Sequence, residues 1–363
     1  MVDWDALEAA GIADARGRAG LVEYLDGLGF TTEQMADAER QGRLFGLAGD
    51  VVGRSGTPTY SLTSAADALD IPVDDVARAW NMLGLTIADP DTPTLSQADV
   101  DALATWVEMR SQLGPDNQAV DSFLRVLGTT MARLAEAESS MIRTSQPDVW
   151  LGHTNDELTT ARAWRATAAF IPRIGAVMDA VHRHHQVSNR TFLEGLTMGP
   201  SASIMCGVGF ADLSGFTALT QLLTPAELST LLAEFGGTVG DVVHADGGRV
   251  VKFIGDAVMW VSSTPELLAK AAIDLVNNPR AREAGLRVRA GLAYGEVVAM
   301  VGDYFGTPVN LAARLVDAAR PGQILVAADL RDKLPDWPAR LLDPLLLKGF
   351  EAPTAAYNLH CDG

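Results

Sequence analysis

The chain has 363 residues, of which 48% are hydrophobic and 20% charged, so two domains with real cores are expected. No window of about 18 residues is apolar and uncharged, so no membrane span is expected, and the acidic N-terminus lacks the pattern of a secretory signal. A net charge of −18 disfavours nucleic acid and anionic lipid as bulk partners, and two cysteines, Cys206 and Cys361, fit a reducing cytoplasm.

The first 150 residues are predicted to be mostly helical. Apolar residues recur at helical spacing in "RGRAGLVEYLDGLG", and Thr31 or Thr32 would cap the helix that follows. Two short helices are predicted in "TSAADALD" and "PVDDVARAWNMLG". Two longer amphipathic helices are predicted in "SQADVDALATWVEMRSQLG" and "DSFLRVLGTTMARLAEAESSMIR".

A further long helical region is predicted over residues 155–190, bent or broken at Pro172. Periodicity is then lost in "TFLEGLTMGPSAS". We therefore predict a helical domain over residues 1–190, a linker over 191–202 and a second domain over 203–363.

The second domain alternates strands and helices. Strands are predicted in "IMCGVGFADL", "RVVKFI", "AVMWV" and "LRVRAGLAYGEVVAMV". Helices are predicted in "TPAELSTLLAEFGGTVGDVVHADG", "PELLAKAAIDLVNNP" and "VNLAARLVDAA", and "QILVAADL" predicts a strand followed by the start of a helix. This mixture is typical of an α+β or α/β sheet domain.

Two aspartates, Asp212 and Asp256, lie at strand ends in this domain. The Gly255-Asp256 pair alone would be explained as a hairpin turn. If the strands pair in one sheet, however, two carboxylates become neighbours and raise each other's pKa. A hard divalent cation would remove that conflict, and Mg²⁺ prefers few carboxylates together with phosphate oxygens.

Three separated segments, "FADLSGFT", "VVKFIGDAVM" and "GDYFGTPVNLAARL", resemble the signature motifs of class III nucleotidyl cyclases in their order and spacing. The resemblance covers roughly residues 203–360. It implies an α+β, ferredoxin-like catalytic domain, preceded here by an all-α regulatory domain. The implied activity is that of an adenylate cyclase, which converts ATP to 3′,5′-cyclic AMP and pyrophosphate with two Mg²⁺ or Mn²⁺ ions.

This resemblance implies roles for particular residues. The metal ions would be bound by Asp212, Asp256 and the backbone carbonyl of Leu213. Lys252 and Asp303 would recognise the purine, because an ammonium can donate to N1 of adenine and a carboxylate can accept from its N6 amine. Guanine presents the opposite donor and acceptor at these edges, so a guanylyl cyclase would be expected to carry different residues.

Asn310 and Arg314 stand at i and i+4, so one helix would present both on one face. The resemblance implies that Asn310 orients the ribose and that Arg314 stabilises charge developing on the α-phosphate. Lys348, in the short segment "LLLKGF", matches a lysine that binds the triphosphate. Each residue alone has a structural explanation as a turn, a solvated helix face or a snorkelling lysine, so the functional interpretation depends on their joint occurrence.

In this family the active site lies between two subunits. One subunit contributes the metal-binding aspartates, and the other contributes the purine-recognising pair, the asparagine and the arginine. Because this chain carries both sets, the resemblance implies a homodimer with two equivalent sites and an inactive monomer. The alternative is a degenerate cyclase domain that acts as a nucleotide-binding scaffold, and the presence of all six core residues argues against it.

The helical half resembles the regulatory domains of certain bacterial class III cyclases that are autoinhibited and respond to pH. His182, His184 and His185 lie within four residues just before the predicted linker. Histidine is the side chain whose ordinary pKa lies near physiological pH, so their protonation is hypothesised to change how the exit helix docks. The alternative is a solvated helix end, where histidines favour the helix dipole.

The helical half has two other possible functions on sequence grounds. "YSLTSAADALDIPVDDVARAW" has the rhythm of a DNA-binding helix–turn–helix, but a single arginine among several aspartates is poorly suited to phosphate contact. A fatty acid or another apolar ligand between the helices is a further hypothesis, although no residue identifies it. The expected location is the cytoplasm.

Overall fold

The structure is a computed structural model that describes residues 2–114, 118–198, 203–283 and 285–359. The chain divides into two compact units, Met1–His185 and Gln186–Gly363. Residues 199–202 of the predicted linker and Cys361 lie outside the described residues. Among the helices that are described, none combines the length and the apolar character needed to cross a membrane.

Helices make up the first unit, and the last of them continues into the second unit. They are α1 Trp4–Ala9, α2 Ala19–Gly27, α3 Thr32–Arg40, α4 Leu47–Gly53, α5 Leu62–Leu69, α6 Val73–Met82, α7 Gln97–Leu113, α8 Gln118–Ser145, α9 Leu151–Thr154, α10 Glu157–Ala168 and α11 Ile171–Glu194. Their apolar faces form two buried clusters, one around α1 to α4 and one around α5 to α8.

Local sequence signals account for several of these helix ends. Thr31 caps α3 as expected: its hydroxyl accepts the N–H of Gln34, whose side chain binds back to the Thr31 N–H in a capping box. The predicted break near Pro172 is confirmed, because α10 ends at Ala168 and Pro172 lies in the first turn of α11. Proline is tolerated there because the N–H that it lacks would have no partner within the helix.

A mixed sheet forms the centre of the second unit. Its strands are β1 Thr197–Met198, β2 Ser203–Ser214, β3 Arg249–Ile254, β4 Ala257–Ser262, β5 Arg287–Met300, β6 Asp303–Phe305, β7 Ile324–Ala327, β8 Ala339–Leu341 and β9 Ala356–Leu359. The strand order is β3-β4-β2-β5-β7-β9-β8, with β1 beside β2 and β6 beside β5. The β5–β7 pair is parallel, and the other pairs are antiparallel.

Helices cover both faces of this sheet. They are α12 Phe216–Thr220, α13 Pro225–Ala245, α14 Pro265–Val276, α15 Pro279–Glu283, α16 Thr307–Ala318 and α17 Ala328–Arg331. One core, around Trp260, packs against α13, α14 and α17, and the core on the other face packs against α16. The predicted α+β domain after a helical domain is therefore confirmed.

A close approach between α16 and β5 depends on glycine. A Cβ atom added at Gly291 would lie 2.3 Å from the carbonyl oxygen of Ala312 and 2.3 Å from the backbone nitrogen of Val316. Only glycine leaves space for the helix backbone at this point. This contact fixes the height of α16 above the sheet, and therefore the position of every side chain that α16 presents.

The predicted loss of helix after residue 190 is wrong, because α11 continues to Glu194. The reason is tertiary packing: Phe192 and Leu193 pack against the core on the α16 side of the sheet. Strands β1, β6, β8 and β9 were not predicted, since two to four residues are too few to show a periodicity. The equally short β7 was predicted because its four residues form a continuous apolar run.

Candidate active site

The pairing of β2 with β4 brings Asp212 and Asp256 together. Asp212 pairs in register with Ala257, the residue after Asp256. The two-residue turn Gly255-Asp256 joins β3 to β4, and Gly255 takes a positive φ of 63°. Burial raises the pKa of the Asp256 carboxyl, and the neighbouring Asp212 carboxylate raises it further.

Arg289 is a charged member of this site that sequence reasoning missed. It lies opposite Asp212 in the β2–β5 register and donates from Nε and Nη2 to one Asp212 oxygen, at 2.9 and 2.5 Å. Its Nη1 donates to the backbone carbonyls of Asp317 and Ala319, at the end of α16. The signal in the sequence was an arginine between the buried residues Val288 and Ala290.

Lys252 and Asp303 form an ion pair in which Nζ donates to Oδ2 of Asp303. The second carboxylate oxygen, Oδ1, accepts the N–H of Tyr304 at 2.8 Å. Lys252 follows a register shift in β3, and Asp303 begins β6 directly after a two-residue turn. Two elements that are distant in sequence therefore hold the pair in place.

Asn310 and Arg314 lie one turn apart on α16, where Asn310 is exposed and Arg314 donates to Asp317 at 3.0 Å. Lys348 is exposed in the loop between β8 and β9, next to the buried Leu347. Leu213 points its side chain into the core on the opposite face of the sheet from α16.

Asp212 and Lys252 project from the same face of the sheet. Lys252, Met259 and Phe210 form one cross-strand row, and Phe210 and Met259 belong to the core beneath α16. Asp212 follows Phe210 by two residues and therefore shares its face. Two strand spacings, about 10 Å, separate β3 from β2. Within the described residues, no direct hydrogen bond or ion pair joins the aspartate pair, the Lys252–Asp303 pair, and Asn310 and Arg314 to one another. Arg289 bridges Asp212 to backbone carbonyls at the end of α16.

The two aspartates fit a magnesium-type ion that is bound together with its substrate. The described part of the chain contains no group of three or more histidine, cysteine, aspartate or glutamate side chains that could hold a metal on its own. Mg²⁺ commonly binds through one or two carboxylates and takes its other ligands from phosphates and water. The raised pKa of Asp256 reflects a burial and charge conflict that a cation would relieve.

The three clustered histidines lie on α11 and are exposed. His182 is close enough to Asp179 to add slightly to the lowering of the Asp179 pKa, which the hydrogen bond from Arg183 mainly causes. Because α11 continues to Glu194, none of the histidines lies in its last turn. Their interpretation as a favourable helix end is therefore wrong, since the dipole effect is confined to the last turn.

Comparisons with known proteins agree with this architecture. Residues 200–360 match the family described as the adenylate and guanylate cyclase catalytic domain, and residues 4–187 match the adenylate cyclase regulatory domain. An uncharacterized protein of Mycobacterium tuberculosis is 67% identical over 99% of this chain and 94% of its own length. The pH-sensitive adenylate cyclase of the same species is 30% identical over 88% of this chain and 81% of its own length.

An adenylate cyclase of Streptomyces coelicolor is 30% identical over 76% of this chain and 71% of its own length. The crystal structure of the adenylyl cyclase CyaB from P. aeruginosa covers 44% of this chain and 94% of its own, with 25% identity and a TM-score of 0.39. The fold and the two matched domains define a nucleotide cyclase with an attached regulatory domain. The chain belongs to the class III adenylate cyclase family, as the three sequence motifs indicated.

Proposed function

We propose that this protein is an adenylate cyclase that converts ATP to 3′,5′-cyclic AMP and pyrophosphate. The observation that carries the proposal is the Lys252–Asp303 ion pair, which shares a sheet with the Asp212–Asp256 carboxylate pair. Two relatives that cover most of this chain are named adenylate cyclases. The Lys252–Asp303 pair would supply the charges that bind a purine, and the Asp212–Asp256 pair would hold the ions that bind a triphosphate.

In the proposed reaction, the ribose 3′-hydroxyl gives its proton to water and its oxygen attacks the α-phosphorus in line. The bond to the bridging oxygen breaks and pyrophosphate leaves. Asp212 and Asp256, with the Leu213 carbonyl, would hold two divalent ions, which would neutralise the triphosphate and lower the pKa of the 3′-hydroxyl. Asn310 would orient the ribose, Arg314 would stabilise the charge on the α-phosphate, and Lys348 would bind the outer phosphates. Positioning and charge neutralisation carry such a reaction, so no dedicated general base is required.

Selectivity for adenine is proposed to come from the Lys252–Asp303 pair. The Lys252 ammonium would donate to N1, and the Asp303 carboxylate would accept from the N6 amine. In the structure the two side chains bind each other, which keeps both charges paired until a purine enters between them. GTP would place a donor against the lysine, and this mismatch would leave a buried polar group without a partner.

A homodimer is the proposed active form. Large apolar side chains are exposed on β3, on the end of β5 and on the turn and strand that follow β5: Phe253, Ile254, Val298, Met300, Val301 and Phe305. Contiguous exposed apolar patches mark protein–protein contacts, and a second copy is proposed to cover these side chains. The separation of the three groups of site residues within one chain is consistent with each site taking residues from two copies.

The helical unit is proposed to regulate the catalytic unit in response to pH, through the α11 histidines, or to an apolar ligand. A groove of about 460 Å³ in the helical unit supports the second hypothesis, since Met141, Ile142, Phe170, Ile171 and Ile174 contribute to its lining. Grooves of this size accommodate small ligands.

The direct test is cyclic AMP formation from ATP by the full chain, with Mg²⁺ or Mn²⁺. Asp212→Asn and Asp256→Asn should each lower kcat at least about 100-fold, because each removes a charged ligand of the proposed ions. Asp241→Asn, at an exposed position on α13, is the matched control and should retain the parental rate. Parental activity in both site variants would refute the proposed mechanism, and nucleotide binding without turnover would favour the scaffold alternative.

A further inference from the structure

Arg249, the first residue of β3, binds the last two turns of α11. Its Nη1 donates to Oδ1 of Asn189, and its guanidinium carbon lies 5.2 Å from the centroid of the Phe192 ring. Within the described chain, no carboxylate lies within ion-pair distance of Arg249. The guanidinium is therefore held by an amide and an aromatic face, which are contacts that depend on its planar shape.

Arg249 and the hairpin formed by β5 and β6 border one cavity. A cavity of about 330 Å³ is lined by Arg249, Asn189, Leu193 and the hairpin residues 299–304. Tyr304 lines the same cavity and packs against the same core as Phe192 and Leu193. Burial raises the pKa of the Tyr304 phenol, and the positive charge of Arg249 lowers it in part. The Tyr304 backbone N–H in turn donates to Asp303.

The turn of this hairpin is strained. Val301 and Gly302 have φ values of 60° and 75°, as in a two-residue hairpin turn with both central residues in the left-handed region. A β-branched residue is rarely found in that region, and such strain persists only where surrounding contacts impose it. The hairpin therefore needs support from outside its own turn, and Asp303 is the first residue after that turn.

We propose that Arg249 is a positioning residue for purine recognition. It holds the end of α11 against the β5–β6 hairpin, and the hairpin then holds Asp303 opposite Lys252. Arg249 acts through Tyr304 and Asp303 and does not itself contact the nucleotide. This inference rests on the proposed role of Lys252 and Asp303 in reading adenine.

The experiment measures kcat and KM for ATP and for GTP with the full chain. Arg249→Gln should raise KM for ATP roughly tenfold, lower the preference for ATP over GTP and leave kcat near the parental value, because recognition is lost and not chemistry. Arg249→Lys keeps the charge but lacks the planar group. Its KM for ATP and its preference for ATP over GTP should therefore lie between those of the parent protein and those of Arg249→Gln. Asn189→Ala, which removes a single acceptor, should shift KM in the same direction by a smaller factor.

Arg190→Gln is the matched control, since Arg190 is on the same helix, is 75% exposed and pairs with Glu194. This variant should have the parental kcat and KM for both ATP and GTP. Equal losses for ATP and GTP in Arg249→Gln, or a lower melting temperature with an unchanged nucleotide preference, would show a merely structural arginine and overturn the inference. If Lys252→Ala and Asp303→Ala also leave the nucleotide preference unchanged, the purine assignment itself has failed, and the two failures are thereby distinguished.

Discussion

Lys252 illustrates how a charge is accommodated on a half-buried strand. Its side chain is 36% exposed and that of Asp303 is 25% exposed, so both charges are partly removed from water. Such a pair is neutral overall when its two members meet, but removing one member leaves the other unpaired. The pairing therefore makes either residue sensitive to loss of its partner, in addition to any role with substrate.

A double-mutant cycle on this pair tests that coupling. Lys252→Ala and Asp303→Ala should each lower kcat/KM for ATP about 10- to 100-fold, the loss expected for one charged hydrogen bond to substrate. The double variant should lose less than the product of the two effects, because the second substitution removes a charge already left without its partner. Strictly multiplicative losses in kcat/KM would contradict a shared function.

Among individual residues, the candidate site residues that the sequence itself indicated are polar side chains at strand ends or within apolar runs. Asp212, Asp256 and Lys252 are of this kind, and the motifs added Asp303, Asn310 and Arg314. Arg289 was missed because its importance depends on the β2–β5 register, which places it opposite Asp212. Register is decided by the pairing of distant strands and is not visible within a single strand.

Among the secondary-structure elements, α16 carries Asn310 and Arg314, the residues proposed to act on the ribose and the α-phosphate. Gly291→Ala places a methyl group 2.3 Å from the backbone of α16, so the helix must move away from the sheet. We expect a loss of about 1–3 kcal/mol in the free energy of unfolding, as in other overpacked cores. Cyclase activity should fall in parallel, because the two side chains move with the helix.

Gly237→Ala is the control for that substitution. Gly237 lies within α13, and a Cβ atom there would meet nothing within 4 Å. Alanine is the better helix former by about 1 kcal/mol, so this variant should be neutral or slightly stabilised in urea unfolding. Equal stability and activity of Gly291→Ala and the parent protein would show that α16 does not need this close approach.

The end of α11 could not be predicted because its last residues lack an apolar pattern. Its residues after 185 are mostly exposed and polar, so they lack the apolar periodicity from which a helix is recognised. Packing of Phe192 and Leu193, together with the Arg249 contact, stabilises the last two turns. By contrast, α13 was predicted well because Thr224 and Pro225 mark its start within the local sequence.

The exposed histidines of α11 are proposed to make cyclase activity depend on pH. Replacing His182, His184 and His185 by Gln in the full chain should flatten the dependence of cyclase activity on pH between about 5.5 and 8, because glutamine does not titrate. The control is His153→Gln on α9, which removes an exposed histidine that lies 3.5 Å from Asp148. A triple variant with the parental pH profile would remove the histidine cluster as a pH sensor.

For the whole molecule, the decisive question is whether one chain can complete an active site. The proposed purine-recognising residues lie on β3 and β6, and the proposed metal-binding aspartates lie at the end of β2 and in the β3–β4 turn. Large apolar side chains remain exposed on β3, β5 and β6. In an isologous dimer, both copies would bury the same apolar side chains at the interface. Such a dimer would also contain two equivalent sites. In a monomer, the apolar side chains would stay exposed to water and each site would lack the residues of the second copy.

Complementation between two inactive variants tests the shared site directly. Asp212→Ala removes a proposed metal-binding carboxylate, and Arg314→Ala removes the proposed transition-state arginine. Each variant on its own should be inactive at both sites of its homodimer. In a mixed population, half of the dimers carry one chain of each kind, and one of their two sites then draws only on unaltered residues. Mixing equal amounts should therefore restore about a quarter of the parental rate, the fraction that random pairing of two subunits gives.

Mixing Asp212→Ala with Asp256→Ala should restore nothing, because both substitutions lie in the same half of the site. If Asp212→Ala and Arg314→Ala also failed to complement after confirmed subunit exchange, every functional group would have to come from one chain.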